Sequence, residues 1–462
     1  MAPAPENAAA SAAVPAAADL PRAPPGALRC QKDSSLRSLA TRVLACDEVV
    51  VPATKKTPEE RFYEVELYDT VLFPEGGGQP WDTGKINNAA VDKVYVKDGR
   101  CIHRVPVVTS GAAAPFEKDQ EVVASVDWDR RFDHMQQHSA QHLFSAIAEK
   151  YGYDTTTWSM GEERNNVELV PFPGSEAEAA FAVGKKSGGL KVIPMDVLLK
   201  IEEDVNDAIV RGLSMQPKFA TSGTPEWEKI AAKFSDDERP EAMRIVCIDG
   251  IDANPCCGTH VQNLGQLQSL RVLNVEAARG ASRVWFVAGK RVNREFSRMF
   301  RREQAMVKLF SCGPEEHASR AEKLLQFQKS ALKDIKNLQK ELAASIATEL
   351  LAQSQSGSES PAPVAQYHRV DGDVAFLQAI LSHLGDAKEK TVFVLAVGEV
   401  RGEGMFLLAG PAPFIAKHGK DVVQVIGGKG GGGKNGIFQG KAKGLSKLDD
   451  LVAKLKELRA AE

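Results

Sequence analysis

Two short stretches constrain this chain more than any others: His138-Ser139-Ala140-Gln141-His142 and Cys256-Cys257-Gly258-Thr259-His260. The first lies in an apolar-periodic run with Leu143, Phe144 and Ile147, so its imidazoles fall on one face of a helix, about 5–6 Å apart. That helix offers half of a metal shell. The second stretch lies far downstream, after Asn254-Pro255, which precludes a smooth helix, and around Gly258, which permits a tight turn. It therefore reads as a loop supplying a thiolate and a third imidazole. Two His with a Cys and a His form a complete set of borderline-soft ligands for Zn²⁺. A peptidase of the HExxH class is excluded, because Ser139 stands where its general-base Glu would be.

Composition narrows the remaining classes. At 462 residues, 43% hydrophobic and 26% charged, the chain reads as an ordinary globular protein of roughly three domains. No run of about 18 apolar residues occurs, so no membrane span is expected. Seven cysteines without regular spacing argue for a reducing compartment, and a cytoplasmic location is expected. A formal net charge of -3 excludes a globally basic nucleic-acid binder but leaves room for a local basic face.

The predicted architecture is multidomain α+β. Residues 1–28 are Ala/Pro-rich and expected to be disordered, with organellar targeting as the functional alternative. Residues 29–130 carry short β-type runs (Glu48–Val51, Tyr63–Leu67, Val91–Val96, Glu121–Val126) and read as a small β-barrel-like domain. Residues 131–298 alternate helix and strand and form the α+β metal-binding domain. Residues 299–362 comprise a long helix, Arg320–Leu351, whose Leu325, Leu332, Ile335, Leu342 and Ile346 suggest a coiled-coil or hairpin spacer, followed by a linker at Gln353–Ala362. Residues 363–462 form a small α/β domain. The expected oligomeric state is a monomer or a helix-mediated dimer.

Several motifs resemble one family. FPEGGGQPWDTG (73–84), DWDRRFDHMQQHSAQH (127–142), CCGTHV (256–261), RGASRVWFVAG (279–289) and GGKGGGGKNGIFQGKA (427–442) occur in the order found in free-standing, long AlaX-type alanyl-tRNA editing proteins. The resemblance covers nearly everything from Cys30 onward, and HxxxH followed by CxGTH is highly specific. It implies one Zn²⁺ per chain on His138, His142, Cys256 and His260. It also implies hydrolysis of the ester of tRNA(Ala) mischarged with serine, or with glycine, while Ala-tRNA(Ala) is spared. It further implies proofreading in trans without aminoacylation and without DNA as a partner. Many family members have Gly where Cys257 stands, and either sulfur could reach a metal; spacing to His260 and motif alignment favour Cys256. A bound Zn²⁺ would polarise the ester carbonyl or acidify a water, whereas four protein ligands at once would suit a structural or positioning metal.

Substrate contacts are expected at Gly76, Gly77, Gly78 and Gln79, whose backbone can approach a ligand closely, and at Thr157 and Ser159, since telling serine from alanine requires a hydrogen bond to the extra hydroxyl. The family places its discriminating hydroxyl at the position of Ser159, with Thr157 second. Contacts to tRNA are expected at Arg283, Lys290 and Arg291, in a stretch holding ten Lys/Arg and three Glu between Arg271 and Lys308, and at Lys429, Lys434 and Lys441. The competing class is a zinc-containing RNA-binding or partner-scaffolding protein without hydrolytic activity.

Overall fold

The computed structural model describes residues 22–107, 115–183, 192–224, 227–228, 242–356, 363–432 and 434–461. Most of the expected tail (1–21) and of the expected linker (357–362) lies outside the described residues. The chain divides into two compact units, Met1–Glu303 and Gln304–Glu462. No helix among the described residues is long and apolar enough to cross a membrane.

The first unit opens with strands β1 (Ser38–Val51), β2 (Glu60–Leu67), β3 (Gly84–Ile86), β4 (Ala89–Val91), β5 (Lys93–Lys97), β6 (Arg100–Pro106) and β7 (Glu121–Val126). They form one antiparallel sheet in the order β4-β3-β7-β1-β2-β6-β5. The sheet is not the expected barrel. Its two edge strands are consecutive in the chain on either side of Asp92, and no ladder joins them among the described residues. At Asp92 the carbonyl accepts from Trp81 Nε1 at 2.8 Å, the carboxylate takes the Arg104 guanidinium, and the backbone N–H donates to Arg104 O at 3.2 Å. Residues 22–28 are also ordered, contrary to expectation: Leu28 is buried in this domain's core and Ala23 N–H donates to Tyr68 O at 3.0 Å.

A 23-residue helix, Trp128–Lys150, follows. Its Leu143, Phe144 and Ile147 enter a core with Val167, Leu169, Val284 and Phe286, and Phe144 stacks on Phe286 at 5.7 Å. The sheet beneath has the order β13 (Leu270–Ala277), β14 (Ser282–Ala288), β9 (Asn165–Pro171), β8 (Tyr153–Met160). A small sheet of β10 (Met215–Thr221), β11 (Ala242–Ile248) and β12 (Asp252–Pro255) delivers the Cys256 loop. Pro255 is tolerated because β12 is an edge strand.

In the second unit, helix His317–Ser356 runs for 40 residues and covers four residues of the expected linker. Leu325, Leu332, Ile335 and Leu342 are exposed, while Ile346 is buried with Leu350 against the C-terminal sheet, so the end of the helix belongs to that domain's core and not to a spacer. That sheet has the order β15 (Val364–Arg369), β16 (Val392–Gly398), β17 (Gly404–Ala409), β19 (Ile437–Ala442), β18 (Lys429–Gly432). Strand β16 sends Val392, Val394 and Ala396 into one core and Phe393, Leu395 and Val397 into another. Helices cover both faces, which is why the strand reads as a continuous apolar run.

Candidate metal centre

The helix places His138 and His142 one turn apart, and the loop after β12 folds Cys256 and His260 onto them. Ring centroids are 5.1 Å apart for His138–His142, 4.5 Å for His138–His260 and 5.0 Å for His142–His260. Cys256 Sγ lies 3.4 Å from His138 Nε2 and 3.2 Å from His260 Nε2. One ligand atom from each of the four residues falls within 4.8 Å of all the others. Such a cluster of soft donors fits a single metal ion, and Zn²⁺ is consistent with it.

The surrounding groups aim the donors inward. His138 Nδ1 faces Gln79 Oε1 at 2.8 Å, and this oxygen, being an acceptor, fixes the proton on Nδ1 and leaves Nε2 for a metal. His260 Nδ1 meets Ser139 Oγ at 3.2 Å. Burial drives His142 down to about 4 and holds His138 and His260 well below the ordinary imidazole range, so all three rings are neutral. Burial also pushes the Cys256 thiol up to about 11, against the Gly258 N–H and Arg244, which favour the thiolate. Arg244 pins the loop: its guanidinium donates to the carbonyls of Gln31, Cys256 and Gly258. Gly258 has no room for a side chain, since a Cβ there would overlap the His138 ring.

Of the other expected site residues, only part of the glycine loop reaches this centre. Gly77 lines the cleft above it, and Gly78 takes the Trp158 indole so closely that an added Cβ would lie 2.7 Å from it. Gly76 closes a two-residue bridge with Gln79. Gln79, expected to touch substrate, faces the donor set instead. It is buried, and its amide is occupied by His138, by Thr259 N–H at 3.0 Å and by Thr259 Oγ1 at 2.8 Å. Thr157 and Ser159 are exposed, and neither lines the cleft. A bulge between Thr155 and Thr157 switches which residues of β8 face the helix: Tyr153 and Thr155 before it, Trp158 and Met160 after it. Trp158 thereby packs against His138 with centroids 4.7 Å apart and the ring planes tilted by 30°. Sequence reasoning missed Trp158, Arg244 and Gln31; no spacing or charge pattern marked them.

The basic stretch also sorts by burial. Arg291, expected to meet tRNA, is buried, and its guanidinium is engaged by Asp133, Asn165 Oδ1 and the Gly161 carbonyl. Arg283 pairs with Glu168 and Lys290 with Asp129, both partly exposed. On the other unit Lys429 and Lys441 are exposed register partners on β18 and β19, and the Lys434 side chain lies outside the described residues.

The cleft measures about 710 Å³. The donor residues His138, His142 and Cys256 line it together with Gln141, Gly77, Trp158, Pro25–Ala27, Phe219, Met243, Arg244, Pro255 and Cys257.

Residues 243–293, which include the Cys256–His260 loop, match the threonyl and alanyl tRNA synthetase second additional domain. The alanyl-tRNA editing protein Aarsd1 of Mus musculus is 35% identical over 93% of this chain and 98% of its own. The putative alanyl-tRNA editing protein alaX of Saccharomyces cerevisiae is 32% identical over 58% of this chain and 59% of its own. The alanine–tRNA ligase of Pyrococcus abyssi is 26% identical over 85% of this chain but only 41% of its own. With likeness of that degree running almost end to end between this chain and the mouse protein, the chain belongs to the alanyl-tRNA editing protein family.

Proposed function

We propose that this chain is a zinc-dependent aminoacyl-tRNA hydrolase that cleaves the ester of tRNA(Ala) mischarged with serine or glycine, acts on tRNA charged by another enzyme, and spares Ala-tRNA(Ala). One observation carries the reading: four donors converge within 4.8 Å of one another and three of them line a cleft of about 710 Å³, in a chain whose relatives are named for alanyl-tRNA editing. His138, His142, Cys256 and His260 would hold the ion, which when bound supplies Lewis-acid polarisation of an ester carbonyl or of a water. His142 and Cys256 are the two partly exposed donors, so a substrate in the cleft approaches from their side.

The chain's own residues do the rest. Gln79 and Ser139 fix the ring orientations of His138 and His260. Arg244 holds the loop carbonyls and so sets where Cys256 stands. Trp158 covers His138 and excludes water from that ring face. Lys429 and Lys441, two like charges in register, favour a bound anion between them and suit a tRNA phosphate.

The test is a deacylation assay with Ser-, Gly- and Ala-tRNA(Ala), on metal-loaded and chelator-stripped protein. Hydrolysis of the mischarged species by loaded protein only is expected. Zinc binding with no hydrolysis of any of the three would leave a metal-containing RNA-binding protein instead.

A further inference from the structure

A second cavity, of about 740 Å³, shares no lining residue with the cleft at the metal centre. Arg130 and His134 line it from the first two turns of the metal-bearing helix, Trp81 from the loop before β3, Met160 from the end of β8, and Arg291 and Arg294 from the start of the helix Lys290–Phe310. His134 is 5% exposed, and neither ring nitrogen has a hydrogen-bond partner among the described residues. Burial drives it down to about 4, with Arg130 and Arg291 acting the same way against Asp82 and Asp133, so the ring is neutral and carries one N–H. Nδ1 is sealed from solvent and Nε2 is not. An orphaned N–H in the interior is rarer than an orphaned acceptor, which assigns the proton to Nε2. His134 thus offers the cavity a donor that nothing in the protein receives.

Two arginines supply charge beside it. Arg130 Nε donates to Trp81 O at 3.0 Å, and no carboxylate pairs with this guanidinium among the described residues. Arg294 gives one Nη to Asp133 at 3.0 Å and leaves the rest of its fork free. Of the acids that line the cavity, Asp133 is met by Arg291 and Arg294, Asp92 by Arg104 and Asp129 by Lys290. Glu75 and Glu162 remain, both exposed, where water and salt screen them. We propose that this cavity is a second ligand site and takes a phosphate group, with Arg130 and Arg294 as its charge partners and His134 as its buried N–H donor. Guanidinium forks match phosphate oxygens bidentately, and a tetrahedral phosphate accepts from several directions where a carboxylate accepts in one plane. A metal ion does not fit: Arg130 stands one turn from His134, and the described residues form no metal-donor group here. A free phosphate monoester and a phosphate of tRNA present the same oxygens, and the test separates these sources.

The test is titration calorimetry of the full zinc-loaded chain with inorganic phosphate at low salt, with zinc content and unfolding midpoint measured on every variant. The parent should bind phosphate, and Arg130→Gln and Arg294→Gln should each weaken that binding roughly tenfold, with zinc content unchanged. His134→Phe keeps the ring without its N–H and should weaken it as well. Both arginines reach solvent, so their variants carry the test even if the histidine variant folds poorly. Uncharged tRNA that expels the phosphate identifies the ligand as a tRNA phosphate; tRNA that leaves it in place identifies a free phosphate monoester. A parent that binds no phosphate overturns the proposal, as does binding that both arginine variants retain in full. Binding that vanishes with the zinc and persists in the arginine variants would put phosphate on the metal, and overturns it too. The ester-hydrolase reading of the metal centre stands or falls separately, on the deacylation assay.

Discussion

Replacing Gln79 by Ala isolates the link between the glycine loop and the donor set. The side chain is 1% exposed and makes three hydrogen bonds, from His138 Nδ1 at 2.8 Å, from Thr259 N–H at 3.0 Å and to Thr259 Oγ1 at 2.8 Å. Its removal strands two buried donors, His138 Nδ1–H and the Thr259 amide, at about 1–3 kcal/mol each. Water entering the vacated volume would recover part of that, so a stability loss of roughly 2–4 kcal/mol is expected. The effect on the metal is separate: loss of the group that orients a ligating imidazole lowers metal affinity by about 10–100-fold, or roughly 1.4–2.8 kcal/mol. Gln79→Glu keeps an oxygen for His138 and should restore most of the affinity. Zinc competition against a chromophoric chelator, with denaturant unfolding in parallel, reads both quantities. Gln79→Ala that loses stability but binds zinc as tightly as the parent would refute the orienting role and leave Gln79 a purely structural residue.

Other substitutions separate roles that the sequence merges. His138→Ala or Cys256→Ala should reduce zinc content and abolish deacylation, whereas Cys257→Ala, whose thiol is exposed, should retain most of both; the reverse pattern in metal analysis would exchange the two sulfurs. Arg291→Ala should cost about 3–5 kcal/mol of stability by leaving Asp133 partly uncompensated, with little change in tRNA affinity of the folded protein. Lys429→Ala with Lys441→Ala should instead leave stability intact and flatten the dependence of tRNA binding on salt by about 0.7–0.9 for each phosphate no longer neutralised. Buried His103 is driven down to about 4 by burial, below its unfolded value of 6.5, so the unfolded chain binds the extra proton between those limits. Its contribution, about 3 kcal/mol at 1.36 kcal/mol per unit, is complete above pH 6.5 and falls away as pH drops towards 4. Unfolding curves across that range should be flatter for His103→Asn than for the parent.

The donor set was legible because its residues are chemically scarce and their spacing is fixed by helix geometry; His138 and His142 need only a period of 3.6 to share a face. Ser159 and Thr157, expected to carry the discriminating hydroxyl, fall outside the cleft lining for an equally local reason. Counting from His142 leads to Ser159, but the bulge after Thr155 inverts the alternation of β8 and turns Trp158 inward instead. A bulge leaves no signature in Thr-Thr-Thr-Trp-Ser, and one inserted residue reassigns every position after it. Ser159→Val should accordingly leave the ratio of Ser- to Ala-tRNA(Ala) hydrolysis unchanged. Among the cleft-lining residues Gln141 offers its amide oxygen to a serine hydroxyl, while its Nε2 donates to Ser145 Oγ at 3.0 Å.

Charge was the least transferable signal. Arg283, Lys290 and Arg291 look alike as a basic run, yet the carboxylates that decide their fate, Glu168, Asp129 and Asp133, come from β9 and from the metal-bearing helix. The same holds for the frame around the metal centre. Gln31 and Arg244 lie far apart in the chain, and each acts through backbone carbonyls or amides that any residue possesses. A hydrogen bond to a backbone group imposes no requirement on the partner's identity, so no motif records it. The ordered segment at 22–28 is the clearest case: its Ala/Pro composition reads as tail, and it is held beside the cleft by the Ala23 N–H bond to Tyr68 O, by burial of Leu28 and by the Gln31 side chain that follows it in the chain.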